Sequence, residues 1–336
     1  VDHVQTVLLV EDNPGDARLI AEMLADAAAE MSVEHAETLA AAVARLEAVS
    51  DVDVVLLDLS LPDSEGLSTF RRLQVAAPRV AVIVLSGNTN SAEAAQTVRD
   101  GAQDFLVKGR VDGELLARAI SYAYGRKQSQ SALHDSEVAL LKSNELLKRT
   151  VFDFAASVGK IVEARDPYTQ GHQERVAMVG TLIATHMGLE DDEIAAVNMA
   201  GLVHDVGKML IPAEILSKPG RLSAAEMDLI REHPQCSYDI LKHISFPWPI
   251  ADIALQHHER MDGSGYPAGI SNGALLLGSR ILAVADVVEA MASHRPYRPA
   301  LGVEAAIQEL RESHDKYDPM VVSACVGLHE AGMLGL

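Results

Sequence analysis

Two patterns of apolar positions divide the chain. In its first 125 residues, short apolar runs at 6–10, 53–57, 80–85 and 104–107 read as strands buried on both faces, with 32–36 a weaker fifth candidate. Between them, residues 16–29, 39–49, 67–76 and 91–100 carry helical periodicity. Strand–helix alternation at this spacing predicts a doubly wound α/β domain with a five-stranded parallel sheet. From about 112 to 150 proline is absent, and Leu133, Leu140, Leu147 and Phe154 recur every seven residues. Ser136 and Ser143, at the intervening positions, are polar, so the pattern predicts a helical connector and leaves a coiled coil open. Beyond residue 150 helical segments dominate, and ten of the 13 histidines fall there. The expected organisation is therefore a domain at 1–125, a helical linker at 126–150 and an all-α domain at 151–336.

Charge narrows the range of partners. The formal net charge is −20, which opposes nonspecific binding to nucleic acid or anionic membranes. A phosphorylated substrate would need local positive charge or metal ions. Cys236 and Cys325 are the only cysteines and form no CxxC pair, so neither a disulfide framework nor cysteine-ligated zinc is expected. No apolar run of about 20 residues appears. The first residues lack a basic start and a long apolar region. The expectation is a cytoplasmic location with no membrane span. The C-terminal half has no basic face or recognition helix, which argues against DNA binding.

In an open parallel sheet, function gathers at the carboxyl ends of the strands. Glu11 and Asp12 follow the first strand, Asp58 the third, Ser86 the fourth and Lys108 the fifth. Acidic residues at strand ends also serve as loop polarity and helix caps; five matching positions are harder to explain that way. Carboxylate and carbonyl oxygens suit Mg²⁺. Asp58 could accept a phosphoryl group while Mg²⁺ and Lys108 neutralise the charge. The strings Leu8-Leu9-Val10-Glu11-Asp12-Asn13, Leu57-Asp58-Leu59-Ser60-Leu61-Pro62-Asp63 and Phe105-Leu106-Val107-Lys108 resemble the receiver domain of two-component response regulators. The resemblance implies that Asp58 is the phosphoacceptor. Glu11, Asp12 and the Ser60 carbonyl would hold Mg²⁺, and Ser86 and Phe105 would sense phosphorylation. It also implies a cognate sensor histidine kinase.

The second half is rich in imidazole and carboxylate. His204-Asp205-Val206-Gly207-Lys208 reads as a helical pair in which one carboxylate bridges two metals, with His172, His233, His257, His258 and Asp286 as further ligand candidates. Such donors suit Fe, Mn, Ni or Zn. A lone helical histidine, such as His186, His243 or His329, reads as ordinary core or surface. His233 before Pro234 could be a helix end, and Gly263–Pro267 alone a turn.

The string His257-His258-Glu259-Arg260-Met261-Asp262-Gly263-Ser264-Gly265-Tyr266-Pro267 resembles the signature of the HD-GYP family of metal phosphohydrolases. Residues 164–176, 204–208, 233–234, 285–286 and 295–298 match in order. The resemblance implies an all-helical domain, a bridged multi-metal centre and hydrolysis of cyclic di-GMP to pGpG, with further cleavage to GMP left open. By it, His172, His204, Asp205 and Asp286 would hold one metal, and Asp205, His233, His257 and His258 the second. Lys208 would contact the scissile phosphate. Gly265, Tyr266 and Pro267 would shape a surface for substrate or protein partners. Arg295 and Arg298 would meet phosphate, although Arg298 could equally brace a helix end. Glu289 stands where the family usually has Asp, and is expected to support the ligands.

Relatives with three metals carry Glu four residues before the first ligand histidine. Here that position is Tyr168, so two metals are expected. Homodimerisation through the linker helix or the receiver is also suggested. The rival expectation is a catalytically weak or inactive adaptor that responds to cyclic dinucleotide through protein partners.

Overall fold

Alternate residues of the first strand serve two different cores. Val7 and Leu9 pack with Ile20, Leu24, Leu56, Ile83 and Ile120, whereas Leu8 and Val10 pack with Leu39, Val55, Leu57, Leu73 and Val84. A strand buried on both faces needs helices on both sides, which is why the run is continuously apolar. The computed structural model describes residues 5–27, 31–49, 51–87, 91–166, 170–218, 220–293 and 300–335. The chain divides into two units, 1–143 and 144–336.

The first unit runs β1 (Gln5–Val10), α1 (Pro14–Ala27), β2 (Met31–Ala36), α2 (Leu39–Ala48) and β3 (Val54–Asp58). A two-stranded antiparallel hairpin follows, β4 (Ser60–Leu61) and β5 (Ser64–Glu65), then α3 (Leu67–Ala76), β6 (Ala81–Ser86), α4 (Ser91–Arg99) and β7 (Asp104–Val107). The five long strands form one parallel sheet in the order β2-β1-β3-β6-β7. This is the predicted doubly wound sheet, with the weaker strand candidate present as edge strand β2. The hairpin directly after β3 is an addition that two-residue strands are too short to announce.

Helix α5 (Gly113–Glu163) is continuous over 51 residues. It passes the expected linker end at 150 because Phe152, Ala155, Ala156, Val158 and Val162 pack into the core of the second unit. Its last turns are therefore that unit's first helix.

The second unit continues with α6 (His172–His186), α7 (Asp191–Val203), a 3₁₀ turn at Val206–Leu210, α8 (Ala213–Leu216), α9 (Ala224–Ile230) and α10 (His233–Leu241). After these come α11 (Ile250–Gln256), α12 (Leu277–Ala292), α13 (Val303–Glu312) and α14 (Pro319–Glu330). Among its described residues there is no strand. Val176, Ile183, Val197, Ala200, Ile281 and Leu282 build the centre of its core from α6, α7 and α12. These helices also bring His172, His204 and Asp286 together.

Candidate metal centre and phosphoacceptor site

His172 is the first residue of α6, after Gly171 in a left-handed conformation at φ 73°. The buried Glu163 carboxylate fixes this start by accepting the N–H of Gly171 at 2.8 Å and of Gln173 at 2.9 Å. These are donors a helix N-terminus leaves open. Tyr168 lies outside the described residues, and α6 begins only at His172.

His204 and Asp205 do not lie within a helix, as the sequence reading had them. His204 caps the C-terminus of α7, and Asp205 precedes the 3₁₀ turn. Gly207 explains this local path. A Cβ there would stand 2.1 Å from the His233 carbonyl oxygen and 2.5 Å from the Ser237 nitrogen. The Gly207 N–H donates to Ser237 Oγ at 2.8 Å. This close approach places His233, at the start of α10, with Nε2 3.1 Å from Asp205 Oδ1.

The ring orientations determine which nitrogens are free to bind a cation. Nδ1 donates to a backbone carbonyl in three rings: His204 to Gly201 at 2.8 Å, His233 to Ile230 at 2.6 Å and His257 to Ala254 at 2.6 Å. His172 Nδ1 meets Glu289 Oε2. Carbonyls only accept, so in the neutral rings Nε2 carries a lone pair. The Nε2 atoms of His233 and His257 stand 3.3 Å apart, and buried Asp205 Oδ1 has no hydrogen-bond partner. Acceptors facing one another at these distances repel unless a cation sits among them. Rings oriented by carbonyls or a carboxylate in this way are typical of metal-ligating histidines.

Three donor sets each lie within 4.8 Å: His172, His204 and Asp286; His204, Asp205 and His257; His233, His257 and His258. All seven expected ligand residues are therefore brought together, and the donor chemistry fits transition-metal ions. Burial, then the neighbouring imidazoles, hold His257 well below its ordinary value. His258 is also held well below and His204 is lowered, chiefly by burial. Burial pushes Asp205 upward, but Lys208 and the surrounding histidines outweigh it and hold it well below the usual carboxylate range. Asp286 is held similarly low by His172 against burial. His172 is opposed by burial yet raised to about 9 by Asp286 and Glu289. The centre thus combines imidazoles that resist protonation at His204, His257 and His258 with anionic carboxylates at Asp205 and Asp286, while His172 between Asp286 and Glu289 favours its protonated form. Lys208 Nζ lies 2.5 Å from Asp205 Oδ2.

Beside it, the segment after His258 folds back on Glu259. This buried carboxylate accepts the N–H groups of Ala268 at 2.7 Å, Gly269 at 3.1 Å and Ile270 at 3.1 Å. A Cβ on Gly265 would lie 2.4 Å from the Glu259 Cα, so only glycine fits. The Tyr266 ring is 4.7 Å from His258, and the Arg231 guanidinium lies 5.9 Å from its centroid. Pro267 follows in the same loop. Arg295 and Arg298 lie outside the described residues.

At the carboxyl edge of the parallel sheet, Glu11, Asp12 and Asp58 place oxygens within 4.8 Å of one another, a hard-donor set suited to Mg²⁺. Lys108 Nζ lies 2.5 Å from both Asp58 Oδ2 and Glu11 Oε2. Burial raises Glu11 despite Lys108, and the Asp58 charge adds to the rise. The Ser60 N–H donates to Asp58 Oδ1 at 3.1 Å. Ser86 is buried at the end of β6, where its carbonyl accepts the Lys108 N–H at 2.9 Å. Phe105 is half-buried on β7 against the core.

Glu163 and Glu259 were not identified from sequence as organising residues. Their signal is a carboxylate near a glycine-rich turn, which is common at surfaces. Glu289 was noticed as a departure from the family pattern. It joins α12 to α6 by accepting from His172, from Arg175 Nε at 2.8 Å and from Ser293 at 2.6 Å.

The comparisons bear on the whole chain. Residues 7–120 match the response regulator receiver domain family, and residues 157–321 the HD domain family. The cyclic di-GMP phosphodiesterase response regulator RpfG of Xanthomonas campestris pv. campestris is 34% identical over 95% of this chain and 86% of its own length. The chain belongs to the cyclic di-GMP phosphodiesterase response regulators. A second relative, the cyclic di-GMP phosphodiesterase of Thermotoga maritima, is 32% identical over 97% of this chain and 90% of that protein. The 3'3'-cGAMP-specific phosphodiesterase 3 of Vibrio cholerae is 38% identical over 49% of this chain and 36% of that protein. No described helix is long and apolar enough to cross a membrane.

Proposed function

We propose that the chain hydrolyses cyclic di-GMP at the histidine–aspartate centre, under the control of a phosphorylatable receiver at 1–125 acting through the segment 126–150 on the catalytic unit 151–336. The observation that carries this reading is the lone-pair cluster around the orphaned Asp205 oxygen. Two ions would be held there, with Asp205 contributing to both. His172, His204 and Asp286 complete one set, and His233, His257 and His258 the other. Fe, Mn, Ni or Zn bound there would supply Lewis acidity toward the phosphodiester and acidify a water for attack. Lys208, already paired with Asp205, meets the charge that develops on the scissile phosphate. Tyr266 presents a flat ring beside His258 on which a guanine base can stack. Gly265 and Pro267 hold that ring in place. Arg295 and Arg298 complete the phosphate contacts. The product is pGpG, and further cleavage to GMP is slower.

In the receiver, Glu11, Asp12, Asp58 and the Ser60 carbonyl hold Mg²⁺, and Asp58 accepts phosphate from a sensor histidine kinase. Lys108 neutralises the new charge, while Ser86 and Phe105 move in response. A second substrate, 3'3'-cGAMP, is favoured by the similarity of the catalytic half to the Vibrio cholerae enzyme.

The test is a metal-reconstituted, anaerobically purified chain offered both dinucleotides, alongside Asp205→Ala. Hydrolysis of cyclic di-GMP by the wild type and none by the variant is expected. Undiminished turnover in Asp205→Ala would remove the assignment. Faster cleavage of 3'3'-cGAMP would make it the substrate.

A further inference from the structure

Helix α5 carries two apolar stripes along its C-terminal half, and the described residues cover only one. Phe152, Ala155, Ala156 and Val162 pack into the core of the second unit. On another face, Leu133, Leu140, Leu147, Phe154 and Ile161 recur every seven residues and are 60–70% exposed. All residues from Ala139 to Val151 are exposed. A helix segment with no covered face has little to hold it, since isolated helices of this length are marginal in water.

We infer that this stripe is the seam of a parallel two-stranded coiled coil formed with a second copy of the same chain. Taking the five exposed residues as d positions makes Gln130, Glu137, Asn144, Val151 and Val158 the a positions. Leucine at d with β-branched valine at a favours two strands, and a single asparagine at a specifies register. In a parallel pair, Asn144 faces Asn144 of the other copy and the two amides hydrogen-bond. In an antiparallel pair it would face a leucine and remain unsatisfied.

Charge supports self-pairing at this segment. Across 133–161, Asp135, Glu137, Glu145 and Asp153 balance Lys142, Lys148, Arg149 and Lys160, giving zero within a chain of net charge −20. Two copies can therefore meet here with little net repulsion. The g positions are Ser136, Ser143, Thr150 and Ser157, so no like charges face one another between g and e. The area is also sufficient. With Leu141 and Val151 flanking the five, the stripe exposes on the order of 500 Å² of apolar surface, at roughly 60–120 Å² for each such side chain. With the polar stems that line a seam, this approaches the roughly 800 Å² per partner of a stable interface. It is also comparable with the roughly 300–600 Å² of the largest apolar patch on an ordinary monomer, a patch that is often an interaction site. The seam is strongest from Leu140 to Phe154. Glu137 weakens its start, and Val158 is partly committed to the domain core at its end.

The experiment uses the full chain. Sedimentation equilibrium should give a mass twice the 36.0 kDa of the monomer. Leu140→Lys with Leu147→Lys, both at exposed positions, should give a monomer whose receiver still accepts phosphate. In a Cys236→Ser background, Asn144→Cys should cross-link to itself under mild oxidation. Arg149→Cys, on the opposite face of the helix, should not. A monomeric wild type, a trimer or tetramer, a dimer that survives the double lysine substitution, or cross-linking at 149 in place of 144 would each overturn the inference.

Discussion

At Glu259 one buried carboxylate accepts three consecutive backbone N–H groups, and so holds Tyr266 against His258 without touching the metal ligands' donor atoms. Charge-assisted bonds of this kind are the strong ones. Glu259→Gln keeps the shape but removes the charge and turns one acceptor into a donor. It should destabilise the chain by about 1–3 kcal/mol, raise amide exchange at 265–270 and raise KM more than it lowers kcat, with metal content unchanged. Unchanged exchange in that loop would show that Glu259 does not organise it. Glu289 acts at the same scale on the other side of the centre. Glu289→Ala removes the acceptor that orients His172 and should weaken metal affinity by about 10–100-fold. Metal titration of the stripped protein measures this, and a loss under twofold would contradict it.

At the scale of elements, the decisive feature is the end of α7. The chain leaves the helix at His204, tightens into a 3₁₀ turn and presses Gly207 onto the first turn of α10. Gly207→Ala must push α10 away, since its Cβ would meet backbone and not a flexible side chain. Overpacking of this kind costs about 1–3 kcal/mol. The more specific outcome is displacement of His233, so metal analysis should find the set formed by His233, His257 and His258 depleted while the other is kept. Full metal content with a native melting temperature would show that the contact is not limiting. The histidine–aspartate signature thus works at a helix terminus, where successive side chains diverge more freely than on a continuous helix.

At the scale of the molecule, two sites of different donor chemistry occupy separate units, and their responses should separate. With acetyl phosphate and Mg²⁺, one phosphoryl group per chain should appear, and Asp58→Asn should abolish it. Asp205→Ala should leave that labelling intact. Labelling that survives Asp58→Asn would place the phosphoacceptor elsewhere. Stripping transition metal should lower the melting temperature of the second unit, because it leaves facing lone pairs in a buried site, and should leave phosphorylation unaffected. Calorimetry with and without the metal checks this. A melting profile indifferent to transition metal would count against a resident metal at this centre.

Much of this was legible from the sequence for physical reasons. Strands buried on both faces must be continuously apolar, so β1, β3 and β6 stood out, as did the short apolar run of half-buried edge strand β7 and the acidic residues at the carboxyl ends of β1 and β3. Metal chemistry restricts ligands to few residue types, so the seven metal-ligand candidates could be named from their motifs. Tertiary structure decided the rest. The continuation of α5 to Glu163 depends on which face of it the second core covers, and no local pattern marks that. Whether Asp205 sits within a helix or beyond its end depends on a contact between Gly207 and His233, 26 residues apart. Glu163, Glu259 and Glu289 acquire their roles from backbone donors and rings that only the fold brings within reach, because a carboxylate carries no mark in sequence of what it will hold.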